Sequence, residues 1–428
     1  MRNKKILTTV ILFLVICLLD GIVVLADAES LDSVEKKQVN VTTVEELGNV
    51  LEGKTKVDGN TITLQSDVSI SDSIYICIQG KVTIDMNGHN LIMKGLTSTD
   101  ENYGEIIFNE SSISTSLKFT GTGAIYSEGT RKYRISCYAG EESIEIAGDI
   151  DVYVEIEMIN RDRMIVRGGR LHEQITISDY TKVYVKGGAI LGGITDVPGE
   201  ITDGYASSKI YISSGFVKGD VSCSFFVMTG GKLEGDIFAD HKVIMKGGEI
   251  EGHVTARNFR MSGGTITSYD TETVYIYPYI DDVVYLPIVR IEGGTIYNTR
   301  TDGIGIRIED AMVCLTGGNI ISTGNNGKCG IYVDNRKSNS YREKLIGTNR
   351  EGHSVDRCYD NYVGWKPAKG SKLVVSGFNY GFKKTSATGQ RSLTSVNISA
   401  PKNSLKHIYR MDVNCNKIKG NFKLTLGK

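Results

Sequence analysis

The chain has 428 residues, with 49 Lys and Arg against 50 Asp and Glu and a formal net charge of -1. That balance gives no electrostatic footprint for nucleic acid or for an anionic membrane surface. Five prolines and 49 glycines point to a stacked β protein and argue against a disordered stalk.

In chain order, Arg2, Lys4 and Lys5 precede an apolar run over 6–19, and Ala26-Asp27-Ala28 supplies a small-x-small cleavage site. Residues 1–28 therefore read as a secretory signal peptide, which places the protein outside the cell or on its surface. Asp20 interrupts the run, so no membrane span is expected after signal removal. The remaining cysteines, Cys77, Cys137, Cys223, Cys314, Cys329, Cys358 and Cys415, are odd in number and lack CxxC spacing. Neither a disulfide framework nor zinc is indicated, and buried apolar thiols are the expected role.

Residues 29–58 hold one helical signal, VTTVEELGNV over 41–50, with Thr42 or Thr43 as cap and Glu45 and Glu46 in the first turn. This helix is expected to cover the open end of the strands beyond it. From 59 to 333 the chain repeats short strands closed by glycine. The copies MIVRGGRL, VYVKGGAI, IYISSGFV, FVMTGGKL, VIMKGGEI and RMSGGTI are the most regular, and their turn glycines Gly215, Gly231, Gly248 and Gly264 recur at nearly constant spacing. Apolar residues such as Val183 and Val185 alternate with polar ones before the glycines, and Ile190 and Ile194 return inward after them. A fixed period this short leaves no room for crossover helices and means stacked units that share one core. The rhythm breaks at 269–286 and again over 334–371, a polar, aromatic stretch read as a projecting loop, before a β-rich C-terminal cap over 372–428.

The GG-x-I copies resemble the coils of secreted bacterial surface proteins in the pectate-lyase-like right-handed β-helix superfamily. The resemblance implies an all-β fold, a single-stranded right-handed parallel β-helix or solenoid, and it carries no activity by itself. In that family the turn at Asp85 to His89 is structural, and His89 is read the same way. The superfamily's catalytic signatures are not transferable here. Thr301-Asp302-Gly303 is a partial polygalacturonase match, Asp281-Asp282 and Arg342-Glu343-Lys344 fall out of order, and Gly352-His353-Ser354 lacks the final glycine.

Stacking predicts an apolar outward column of Ile165, Tyr184, Tyr211, Val227 and Ile244, which must be covered or bind something. Tyr184 and Tyr211 there, with Tyr359, Tyr362 and Trp365 in the projecting loop, are the candidate ligand-binding residues, able to stack on successive sugar rings. Past the glycine turn, one outward column holds Lys218, Glu234 and Glu251 and another holds Asp220, Asp236 and His253. Asp220 and Asp236, about 5 Å apart if stacked, are the candidates for calcium and, with Glu234, for acid or nucleophile roles. No cofactor is required, and calcium is possible. The expected function is non-catalytic binding of polysaccharide, a surface glycan or a surface partner. The alternative is a polysaccharide lyase or glycoside hydrolase, and a third course is end-to-end self-assembly through an exposed strand edge.

Overall fold

A computed structural model describes residues 38–51, 54–70, 73–76, 78–94, 105–108, 115–128, 134–137, 142–197, 208–277, 288–309, 312–315, 318–322, 329–334, 363–364, 373–376 and 382–384. Residues 40–428 form one unit, which holds the helix and the parallel strands.

The described residues are all-β with one helix, Val44–Val50. Thr43 is its N-cap: the Thr43 hydroxyl accepts from the Glu46 N–H, and the Glu46 carboxylate accepts from the Thr43 N–H, a reciprocal capping box. Helix residue Leu47 and the C-cap Leu51 are buried, and Gly48 leaves room for Val57 of the adjoining strand. That strand, Thr55–Asp58, forms an antiparallel hairpin with Thr61–Leu64.

Beyond the hairpin the strands pair in parallel with their counterparts one repeat further on. Strand Arg163–Val166 pairs with Lys182–Ile190, which pairs with Lys209–Lys218, then in turn Val221–Met228, Ile237–Met245 and Val254–Met261. Each repeat contributes three faces, before the glycine turn, just after it, and after a second turn. Strand spacing sets the rise at about 4.8 Å per repeat. Parallel pairing of like with like stacks equal positions. Phe226, Val243, Phe259 and Val289 form one inward column on the first face, and Met228, Met245, Met261 and Ile291 another. Leu171, Ile190, Val217, Leu233, Ile250 and Ile266 line the second face, and Ile175, Ile194, Val221, Ile237 and Val254 the third. Every one of these side chains is at most 1% exposed, so the core is a stack of apolar columns.

The first turn is made by glycines stacked at positive φ, including Gly231 at 81°, Gly248 at 87° and Gly264 at 86°. The methionine column lies directly beneath: a Cβ on Gly264 would sit 2.6 Å from Met245 Cε and 2.7 Å from the Gly248 carbonyl oxygen. The turn thus needs glycine for both conformation and space.

Two expected breaks are narrower than the sequence suggests. Glu272–Ile276, inside the first break, pairs in parallel with Val254–Met261. Val363–Gly364 of the expected loop, and Leu373–Ser376 and Phe382–Lys384 of the expected cap, also pair in parallel with earlier strands. The strands at Glu272–Ile276 and Val363–Gly364 lack the double-glycine marker, whereas Leu373–Ser376 and Phe382–Lys384 fall in the stretch expected to be β-rich.

Candidate functional site

The second turn of successive repeats reads Gly219-Asp220, Gly235-Asp236 and Gly252-His253. Asp220 Oδ1 accepts from the Asp236 N–H at 2.9 Å, and Asp236 Oδ1 accepts from the His253 N–H at 2.7 Å. Each carboxylate is therefore fixed by the backbone of the next repeat, through one oxygen. These residues border an open groove of about 280 Å³ that runs onto the third face. Its floor and walls are Thr195, Val221, Ser222, Ile237, Phe238 and Thr255. The outward column there is hydroxyl-rich, with Thr195, Ser222 and Thr255, except at Phe238, whose side chain is 50% exposed. His253 Nε2 lies 3.3 Å from the Thr255 hydroxyl. Further along, the Arg307 guanidinium covers Tyr275 at 5.1 Å, and Tyr277 lies parallel to Phe238 at 6.1 Å between ring centres.

An aromatic face beside hydroxyls and fixed carboxylates can hold a polyhydroxylated ligand, with C–H faces on the ring and hydroxyls on the oxygens. Sequence reasoning brought Asp220 and Asp236 here but missed Phe238. Its signal was one aromatic in an outward column of hydroxyls.

Glu234 is not part of this groove. It lies on the second face, where Lys232 bonds it at 2.7 Å and also bonds Glu251 at 3.1 Å. The Gly235 turn separates Glu234 from Asp236, so two residues close in sequence face different directions. Among the described residues, Asp220 and Asp236 gather no third His, Cys, Asp or Glu ligand atom within 4.8 Å.

Tyr184 and Tyr211 do stand in register on the first face, with Ile165, Val227 and Ile244 in the same column. The rings are nearly parallel and stack on each other, with centres 4.9 Å apart and planes at 7°. Lys186 Nζ covers the Tyr184 ring at 5.4 Å. Burial first, and then the neighbouring Tyr184, push the Tyr211 hydroxyl up from its usual range. Every member of the column is half-buried. Its ring faces are partly spent on one another, which leaves edges and hydroxyls for a partner. Ion pairs bound the stripe: Glu145 with Arg167 at 3.0 Å at one end, and Arg260 with Glu292 at 2.9 Å at the other.

The remaining expected binding residues, Tyr359, Tyr362 and Trp365, lie outside the described residues, as do Asp281, Asp282 and His353. Asp302 is engaged by Arg300 at 2.6 Å. The turn at Asp85 holds its own backbone: Asp85 Oδ1 accepts from the Asn87 N–H at 3.1 Å, and Asn87 Nδ2 donates to the Leu64 carbonyl at 3.0 Å.

Asp196 is half-buried, in register with the inward Ile177 of the preceding repeat. The Asp196 carboxyl is pushed up to about 6, chiefly by burial, with Asp240 and Asp179 adding to this and the Ser208 hydroxyl opposing it. An acid whose folded pKa exceeds its unfolded value of 3.8 takes up a proton on folding. It is therefore least costly to the fold below that value and opposes folding increasingly as pH rises toward 6. Asp196→Asn is expected to stabilise the chain at pH 7 by on the order of 1–2 kcal/mol and to leave it unchanged at pH 3.5 or below, measured by denaturant unfolding at both pH values. Equal effects at both would show that Asp196 is not shifted.

Comparison with protein-family models, with curated proteins and with solved structures gives no match.

Proposed function

We propose that this chain is a secreted or cell-surface right-handed parallel β-helix, similar to the pectate-lyase-like superfamily, that binds polysaccharide or a surface glycan in the groove beside Phe238. The fold reading is supported by parallel pairing of each strand with its counterpart one repeat on, and by a capped helix at the N-terminal end. Handedness and secretion rest on the resemblance and on the signal-peptide pattern. The observation that carries the binding reading is the half-exposed Phe238 ring beside two carboxylates held by backbone N–H groups. A rigid wall carrying an aromatic platform and oriented acceptors binds sugars with little ordering cost.

Phe238→Ala should weaken binding of any recognised polysaccharide by about tenfold or more, with the thermal midpoint little changed, since the ring is half in solvent. Isothermal titration on the recognised glycan measures this; unchanged affinity would place the ligand elsewhere, with the Tyr184 and Tyr211 column next in line.

A second reading, a lyase or hydrolase, is favoured by the sharing of one groove by Asp220, Asp236 and His253. It requires product release that Asp236→Ala abolishes, and calcium dependence if the reaction is a lyase reaction.

A further inference from the structure

The first face carries a charge pattern that the whole-chain balance of -1 does not register. Parallel register stacks Arg163, Lys182, Lys209, Phe225 and Lys242 in one outward column, two residues before the column of Tyr184 and Tyr211. Two residues past the tyrosine column, in the same rows, stand Arg167, Lys186 and Lys246. No Asp or Glu occurs in these five rows, which span 163–167, 182–186, 209–213, 225–229 and 242–246. Acids lie on other faces, as Glu234, Glu249 and Glu251 do on the second.

Of these cations, Arg167 is paired with Glu145 at the edge of the strip. Among the described residues, none of the others is paired with a carboxylate. Two ammonium groups rest on rings instead: Lys186 Nζ lies 5.4 Å from the Tyr184 ring centre, and Lys209 Nζ lies 5.2 Å from that of Phe225. Arg163, Arg167, Lys186 and Lys246 are exposed, whereas Lys182, Lys209 and Lys242 lay their stems on the sheet and are half-buried. Outward positions two residues apart on a strand are about 6.6 Å apart and rows rise by about 4.8 Å, so the cations spread over a patch of roughly 13 by 19 Å. In-register stacking keeps that patch level.

We propose that this face docks on a membrane surface that bears anionic phospholipid. The layout decides the partner. Phosphate headgroups form a plane of negative charge, so both cationic columns meet partners at once, and the tyrosines between them suit the polar headgroup layer. A single extended polyanion is narrower than the gap between the columns and would leave one column unmet. Lysine outnumbers arginine in the patch. Its ammonium is a point charge on a flexible stem that follows mobile headgroups, whereas a fixed planar partner favours the fork of arginine. The half-buried spine of Ile165, Tyr184, Tyr211, Val227 and Ile244 holds the contact at the surface, with charge as its main source and salt as its antagonist. The groove beside Phe238 is on another face and stays open.

The test is co-sedimentation of the purified chain with vesicles of phosphatidylcholine alone and of phosphatidylcholine mixed with phosphatidylglycerol. The neutral vesicles control for the apolar run over 6–19, which every variant keeps. Binding should require phosphatidylglycerol and fall steeply as salt is raised. Lys182→Gln, Lys209→Gln and Lys242→Gln together discharge most of one column and should weaken binding by about 100-fold, roughly a factor of five per cation. Arginine at the same three positions should restore it. Phe238→Ala should leave it unchanged, which keeps the result separate from glycan binding in the groove. Circular dichroism confirms that the variants fold. Equal binding to both kinds of vesicle, or binding that the triple glutamine variant keeps, would overturn the proposal. So would capture by dextran sulfate without vesicle binding, which would assign the face to a linear polyanion.

Discussion

Gly264→Ala is expected to destabilise the chain by about 3–4 kcal/mol. Alanine at a φ of 86° costs about 1–2 kcal/mol in backbone strain, since its Cβ crowds the neighbouring carbonyl oxygen. The added carbon would also lie 2.6 Å from Met245 Cε, 2.7 Å from the Gly248 oxygen and 2.9 Å from the Gly247 carbonyl carbon. Two of those atoms belong to the backbone and can yield only by parting the strands, so overpacking adds roughly 1–3 kcal/mol. Gly59→Ala separates the two contributions: φ there is 55° but nothing lies within 4 Å of the new carbon. It should cost only about 1 kcal/mol by denaturant unfolding. Equal costs for the two variants would mean that the glycine column is not close-stacked.

The second large effect concerns Phe259, fully buried between Val243 and Val289 in its inward column. Phe259→Ala should cost about 3–5 kcal/mol, because the rigid strands above and below cannot collapse into the space. Phe259→Leu should recover most of that loss, as it restores volume. In a stack where each repeat touches only its neighbours, the loss should weaken local cooperativity, visible as early amide exchange around Val243–Met245 and Val289–Ile291. A loss below about 1 kcal/mol would contradict the column packing.

The inward columns were legible because period-two alternation and the glycine period coincide. Val183 and Val185, Ile190 and Ile194 were all assigned inward from the sequence, and all are fully buried. The third turn was not legible. Glu142, Asp162, Thr181 and Ser208 are buried polar residues, which hydropathy reads as surface, and the number of residues between Asp196 and Ser208 differs from that in other repeats. The candidate groove was legible in part. Register alone placed Asp220 beside Asp236 and Tyr184 beside Tyr211. It could not show that the carboxylates are tied to backbone N–H groups, that the tyrosine rings face each other, or that a glycine turn carries Glu234 to another face. Those depend on where the chain bends, which spacing records poorly. Phe238 was passed over because a single aromatic on a polar strand face has no periodic partner.

The most direct test of glycan binding by the groove is a glycan-array assay of the purified chain beside its Phe238→Ala variant, with and without calcium, followed by product analysis on every polysaccharide bound. Binding by the wild-type chain that the variant loses, with no products released, is the expected result. Binding that survives Phe238→Ala, or calcium-dependent release of unsaturated fragments, would contradict it.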